Sequence, residues 1–246
     1  MVHVPAGEFL MGFSESDVEA IRAISPEAEF SVEGEKPQHK VFLDAFYIDK
    51  YEVTNARYQK CVKAGACNEP SDTTYYGKAD YVQHPVVYMS WYGANAYCRW
   101  AGKRLPTEAE WEKAARGDEE RTWPWGNTFD ENRVNFCDKN CPEWWKHVSV
   151  DDGYALTAPV GSYPEGSSLY GALDMAGNVW EWVADWYDPN YYSQSPYRNP
   201  PGPDSGSEKI VRGGSWLNGF TDIRAGYRYE LAPTHQGKDL GFRCVR

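Results

Sequence analysis

No run of about 18 apolar residues occurs in the 246-residue chain, so no bilayer-spanning helix is expected. Lys and Arg (25) are outnumbered by Asp and Glu (36), which leaves a net charge of −11, and no basic cluster interrupts the excess. A nucleic-acid surface needs a basic patch to release counterions, so nucleic acid is excluded as a partner and the acidity is read as solubility. Histidine is scarce and scattered. His3, His39, His84, His147 and His235 never fall three or four residues apart, so they form no helical cluster of metal-ligating imidazoles. Cysteine is missing between Trp216 and Gly241. The stretch from Leu217 through Thr221 to Ile223 therefore offers no soft thiolate, and copper is not expected there. After Met1 no basic n-region or apolar h-region is visible, which leaves the compartment open.

Aromatic residues are plentiful, with 11 Trp, 18 Tyr and 9 Phe to furnish a sizeable core. Six cysteines are present: Cys61, Cys67, Cys98, Cys137, Cys141 and Cys244. An even count suggests disulfides, and Cys61/Cys67 and Cys137/Cys141 are close enough to staple short loops. The Cys137–Cys141 spacing also suits half of a zinc site, but no matching second pair lies near it. Disulfides would point to an oxidising compartment or a hyperthermophile cytosol.

Strands are expected at Val2–Val4, Glu8–Met11, Val41–Val53, Val179–Trp186, Ile210–Arg212, Ala225–Tyr229 and Leu240–Val245. The acidic segment from Ser14 to Lys36 contains a helical stretch near Asp17–Ile24. Thr54 and Ser90 read as N-caps, the second ahead of an inward stripe of Trp91, Ala94, Cys98 and Ala101. Thr107-Glu-Ala-Glu110 is a capping box, with Trp111, Ala114 and Ala115 facing the core. Beyond Arg116, Gly, Pro, Asn and Asp punctuate the chain every few residues. No repeat or linker divides it, so residues 1–246 read as a single α+β domain, irregular and rich in loops.

Several stretches, in order, resemble the formylglycine-generating enzyme (sulfatase-modifying factor) family. They include Pro5-Ala-Gly-Glu-Phe-Leu-Met-Gly12, Gly102-Lys-Arg-Leu-Pro-Thr-Glu-Ala-Glu-Trp111, Asp174-Met-Ala-Gly-Asn-Val-Trp-Glu-Trp182 and Arg212-Gly-Gly-Ser-Trp216 with Gly241-Phe-Arg-Cys244. The resemblance implies a C-type lectin-like fold and a disulfide between Cys98, on the inward stripe of its helix, and Cys244, which alternates with Leu240 and Phe242 onto one face of the last strand, away from Arg243. It also implies two structural calcium sites. One would use Asn135, the Phe136 carbonyl, Asp152 and the Tyr154 carbonyl; the other the carbonyls of Ala176, Gly177 and Val179 with the Glu181 carboxylate. Calcium takes six to eight hard oxygens, which loop carbonyls readily supply. Without calcium, Asn178 would sit in a turn and Glu181 would pair with an arginine.

The resemblance leaves three functional readings. Oxidases of the family use a cysteine pair just after the Gly-Gly-Ser-aromatic run, and this chain has none there. The related sulfoxide synthases need a histidine-bearing helical partner domain. The favoured reading is a non-catalytic ligand-binding domain, similar to the variable proteins of diversity-generating retroelements. It sets a frame (Gly213, Gly214, Trp216, Arg224, Arg228, Phe242) within the segment 212–246. Between the frame residues stand the candidate ligand-binding positions Leu217, Asn218, Gly219, Phe220, Asp222, Tyr229, Glu230, Leu231, His235, Gln236 and Lys238. On this reading Phe220, Tyr229 and Leu231 form an exposed apolar patch, and a protein is a better ligand than a small molecule. The alternative is an oxidase or accessory domain acting on protein cysteine or other sulfur substrates.

Overall fold

The computed structural model describes residues 1–26 and 32–246. Residues 27–31 of the acidic segment lie outside the described residues. The chain opens with β1 (Val2–Val4) and β2 (Gly7–Met11), followed by helix α1 (Glu15–Ile24). Strands β3 (His39–Leu43) and β4 (Phe46–Ile48) return antiparallel, β3 beside β2 and β4 beside β1. The single strand expected over Val41–Val53 is thus two. It breaks at Asp44, whose N–H donates to Asn199 Oδ1 at 2.9 Å while its carboxylate takes Arg198.

Three helices follow, each starting where a hydroxyl offers to cap: α2 (Asn55–Lys63) after Thr54, α3 (Trp91–Trp100) after Ser90 and α4 (Glu108–Arg116) after Thr107. At α4 the reciprocal pair forms as expected. The Glu110 N–H donates to Thr107 Oγ1 at 3.2 Å, and the Thr107 N–H donates to Glu110 Oε2 at 2.8 Å. All nine residues of α4 are buried, its charged face included. That face survives because each charge has a partner, as buried charges require. Lys113 Nζ, for example, donates to the Pro5 and Gly7 carbonyls at 3.0 and 2.8 Å.

The remaining strands are β5 (Trp180–Trp186), β6 (Lys209–Arg212), β7 (Arg228–Leu231) and β8 (Leu240–Gly241), which form one sheet in the order β7-β6-β5-β8. Only the β5–β8 pair is parallel. Strand β7 begins later than the sequence suggests because the Ala225 and Gly226 carbonyls accept from the Arg212 guanidinium at 2.8 and 3.0 Å, not from a neighbouring strand. The strand expected over Leu240–Val245 shortens to two residues, after which Val245 bridges singly to Ile48 and to Arg104.

One buried cluster packs β1–β4 against α4, and a second packs α2 and α3 against β5 and Phe242. The disulfide Cys98–Cys244 lies in the second, with Cα atoms 5.7 Å apart, and joins α3 to the C-terminal strand region as expected. Cys61–Cys67 and Cys137–Cys141 are local disulfides, so the latter two thiols are not zinc ligands here. Among the described residues no helix is long and apolar enough to cross a membrane. The result is an α+β architecture of few helices, short sheets and long loops.

Candidate functional site

The C-terminal segment leaves β6 through two glycines with positive φ, Gly213 (93°) and Gly214 (69°). A Cβ on Gly214 would stand 2.6 Å from Ile223 Cγ2, so both conformation and space require glycine there. The chain then closes a tight turn. Ser215 Oγ lies 2.8 Å from Asn218 Oδ1 and 2.8 Å from Asp239 Oδ2, and Asn218 Nδ2 reaches Asp222 Oδ2 at 3.3 Å.

Four arginines of this segment point into the protein and meet buried carboxylates. Arg212 donates to Glu112 Oε2 at 2.6 Å; Arg224 grips Glu35 at 2.8 and 2.9 Å. Arg228 grips Glu108 at 2.6 and 2.9 Å; Arg243 grips Glu181 at 2.7 Å through each oxygen. Both Glu108 and Glu112 come from α4, so one helix anchors two of the four. Such fork-to-fork pairs fix direction as well as distance. The frame expected from sequence is buried throughout: Gly213, Gly214, Trp216, Arg224, Arg228 and Phe242.

The intervening positions behave less uniformly. Tyr229, His235, Gln236 and Lys238 are exposed, while Leu217, Asn218, Gly219, Asp222, Glu230 and Leu231 are half-buried. Phe220 corrects the expectation, since it is only 9% exposed. Its ring sits against Phe129 and His147, with centroids 5.9 and 5.8 Å away, so it is a core residue of the turn and no part of a patch with Tyr229 and Leu231. Tyr229 lies instead beside Trp180, at 5.6 Å, and Leu231 packs on the α2–α3 cluster. The exposed apolar group beside the turn is one that the sequence reading missed. Trp144 is 87% exposed, and its neighbour Trp145 donates its indole N–H to the Leu217 carbonyl at 3.0 Å. A Trp-Trp pair in a polar, turn-rich loop was the available signal.

The two expected calcium sets differ in their surroundings. At the first, Asn135 Oδ1 is buried without a hydrogen-bond partner. Asp152 accepts from the Phe136 and Tyr154 N–H groups at 3.0 and 2.9 Å, and the Phe136 carbonyl accepts from the Asp138 N–H. Burial, with the Asp138 charge behind it, pushes the Asp152 carboxyl up to about 7. A buried amide oxygen without a partner, and a carboxylate crowded by Asp138, are the kinds of donor that a hard cation takes. At the second, both Glu181 oxygens are occupied by Arg243, and one also accepts the Trp111 indole N–H at 2.9 Å. Asn178 stands at φ 58° in the turn between Gly177 and Val179. Two carboxylates not counted among the expected calcium ligands face this region. Burial first, and then mutual repulsion with Asp174 and Glu181, holds Glu52 well above its ordinary range; burial lifts Asp174 to about 6. Glu52 also accepts from Asn178 Nδ2 at 2.7 Å and from the Val179 N–H at 3.3 Å. Among the described residues no three His, Cys, Asp or Glu side chains form a cage by themselves. Ala176, Gly177 and Val179 would therefore have to contribute their carbonyls.

The fold and the segment define a C-type lectin-like domain of the formylglycine-generating type. The chain belongs to the sulfatase-modifying factor enzyme 1-like family, whose domain pattern matches residues 1–246. It is 36% identical to the formylglycine-generating enzyme of Streptomyces coelicolor, over 99% of this chain and 88% of that protein. It is 30% identical to the inactive C-alpha-formylglycine-generating enzyme 2 of Mus musculus, over 100% of this chain and 85% of that one. Among solved structures, PvdO from Pseudomonas aeruginosa superposes with a TM-score of 0.78 at 26% identity, covering 99% of this chain and 92% of its own. Treponema denticola variable protein 1 superposes with a TM-score of 0.75 at 24% identity, covering 100% and 94%, and so shares the fold.

Proposed function

We propose that this chain is a non-catalytic ligand-binding domain that displays the side chains between its C-terminal frame residues, as a variable protein of a diversity-generating retroelement would. One observation carries the reading. The arginines of the segment are locked inward on buried carboxylates, while Tyr229, His235, Gln236 and Lys238 stand exposed on the backbone so fixed. Recognition residues held on a rigid support lose little freedom on binding. The partner is a protein: the exposed positions together with Trp144 offer aromatic and polar contacts of the kind that make up protein interfaces. Calcium is proposed as a structural ion. Asn135, Asp152 and the Tyr154 carbonyl would hold one ion, where its charge would relieve the crowding of Asp138 and Asp152. A second ion would be held by the Ala176, Gly177 and Val179 carbonyls with Asp174, since Arg243 takes both Glu181 oxygens and Asn178 and the Val179 N–H take those of Glu52.

The 36% identity to a formylglycine-generating enzyme favours a second reading, oxidation of a peptide cysteine. Against it stands the 217–223 stretch, which contains no thiolate to hold copper. The two separate cleanly by mass spectrometry of a sulfatase-type cysteine peptide incubated with the protein, copper and oxygen. The peptide is expected to keep its thiol; a copper-dependent aldehyde product ends the binding-domain reading.

A further inference from the structure

A cleft of about 280 Å³ separates the Cys61–Cys67 loop from the start of α3. Of the candidate binding positions above, Gln236 alone lines it. Its walls are fixed on every side. The Cys61–Cys67 disulfide closes one loop, and Tyr58 reaches across to donate its hydroxyl hydrogen to the Asn68 carbonyl at 2.9 Å. Ser90 caps α3 on the other side by accepting from the Gly93 N–H at 3.2 Å. Between them Tyr88, a non-glycine residue at φ 59°, is held in the left-handed region by a 2.8 Å bond from its N–H to the Gly237 carbonyl. A side chain kept in that conformation is one whose position the surroundings dictate.

The lining has a marked chemical bias. Tyr88 and Tyr92 contribute two phenol rings above the buried Tyr58, and Glu69 is the only formally charged lining residue; no lysine, arginine or histidine lines the cleft. Burial first, and then the charges of Asp72 and Asp239, push the Tyr88 phenol up. An anionic ligand would meet only like charge there. A hydrated metal ion would gain nothing from the rings. Electron-rich rings beside the Glu69 carboxylate, with no cation in the lining to offset it, suit a cation that carries its charge under an apolar shell.

We propose that this cleft binds a methylated ammonium group, either on a small organic cation or on a modified lysine side chain. It goes beyond the binding-face reading, since Gln236 is the only candidate position of that face in the lining. Calorimetric titration of the intact protein with choline, with its neutral isostere 3,3-dimethylbutan-1-ol and with a short trimethyl-lysine peptide tests it. At least one cation is expected to saturate the site, and whichever binds more tightly identifies the source. The isostere should bind at least about tenfold more weakly. Tyr92 is 55% exposed and Glu69 is also on the surface, so Tyr92→Ala and Glu69→Gln leave folding intact. Each should weaken the cation by about fivefold or more at an unchanged melting temperature. Equal binding of cation and isostere, no binding of either cation, or full affinity in both variants overturns the proposal. Substituting Tyr229, His235 and Lys238 together should leave choline binding unchanged, so failure of the binding face is read separately.

Discussion

Arg212, Arg224, Arg228 and Arg243 turn their guanidinium groups into the interior, where buried carboxylates from α4, β5 and Glu35 receive them. Tyr229, His235, Gln236 and Lys238, from the same thirty-odd residues of chain, project outward. Charge is used inside and mixed chemistry outside, the reverse of an ordinary surface segment. The ion pairs hold the backbone through atoms that the outward side chains never touch. Under the proposed function, stability falls to the inward set and recognition to the outward one, so that either can change while the other stays put.

The largest effect should come from the interior set. Arg212→Ala leaves Glu108 and Glu112 buried on α4 with a partner removed, a loss of about 3–5 kcal/mol. Urea melts should show the midpoint collapse; a shift no larger than that of a surface substitution would dissolve the distinction between the two sets.

Calcium is expected to come next. An ion bound only by the folded chain at one hundred times its Kd stabilises it by about 2.7 kcal/mol, so chelation should lower the melting temperature by several degrees. The pH dependence sharpens this. The Asp152 carboxyl is raised to about 7 from an ordinary 3.8, so the metal-free fold prefers it protonated. The stability tied to that proton is complete below about 3.8 and lost as pH rises through about 7. Metal-free protein should therefore melt progressively lower from pH 5 to pH 7.5, and millimolar calcium should flatten the decline. Superimposable curves with chelator and with calcium would remove the ion from the picture.

The smallest effect belongs to the outward set. Tyr229, His235, Gln236 and Lys238 changed together to alanine should each alter stability by no more than about 0.5 kcal/mol. Capture of a protein ligand should nevertheless be lost. A large drop in melting temperature would show that these side chains carry structure after all.

Local signals in the sequence were reliable where the physics was local. Thr54, Ser90 and Thr107 announce their helices because a hydroxyl satisfies an N–H within three residues. The inward stripes of α3 and the final strand put Cys98 and Cys244 on facing surfaces, where they are bonded. The frame glycines and arginines also read correctly. What escaped depended on distant chain. Phe220 looks like a surface aromatic in a polar turn until Phe129 and His147 arrive to cover it. Glu52 meets Asp174 and Glu181 from more than a hundred residues away, so no spacing rule groups it with them. The polar face of α4 is likewise buried by distant chain: Arg212 and Arg228 pair with Glu108 and Glu112, and the Pro5 and Gly7 carbonyls take Lys113.

The partners of those arginines also bear on the time at which the protein can fold. Arg224 reaches Glu35 across 189 residues, Arg243 reaches the Asp49 carbonyl across 194, and Cys98 waits 146 residues for Cys244. Contacts between such remote positions are slow to form. During synthesis, the carboxylates of α4 and Glu35 emerge long before the cations that neutralise them. The interior cannot close until the stretch from Arg212 to Cys244 has left the ribosome. A nascent chain that stops before Arg212 should therefore resemble an open, aggregation-prone intermediate.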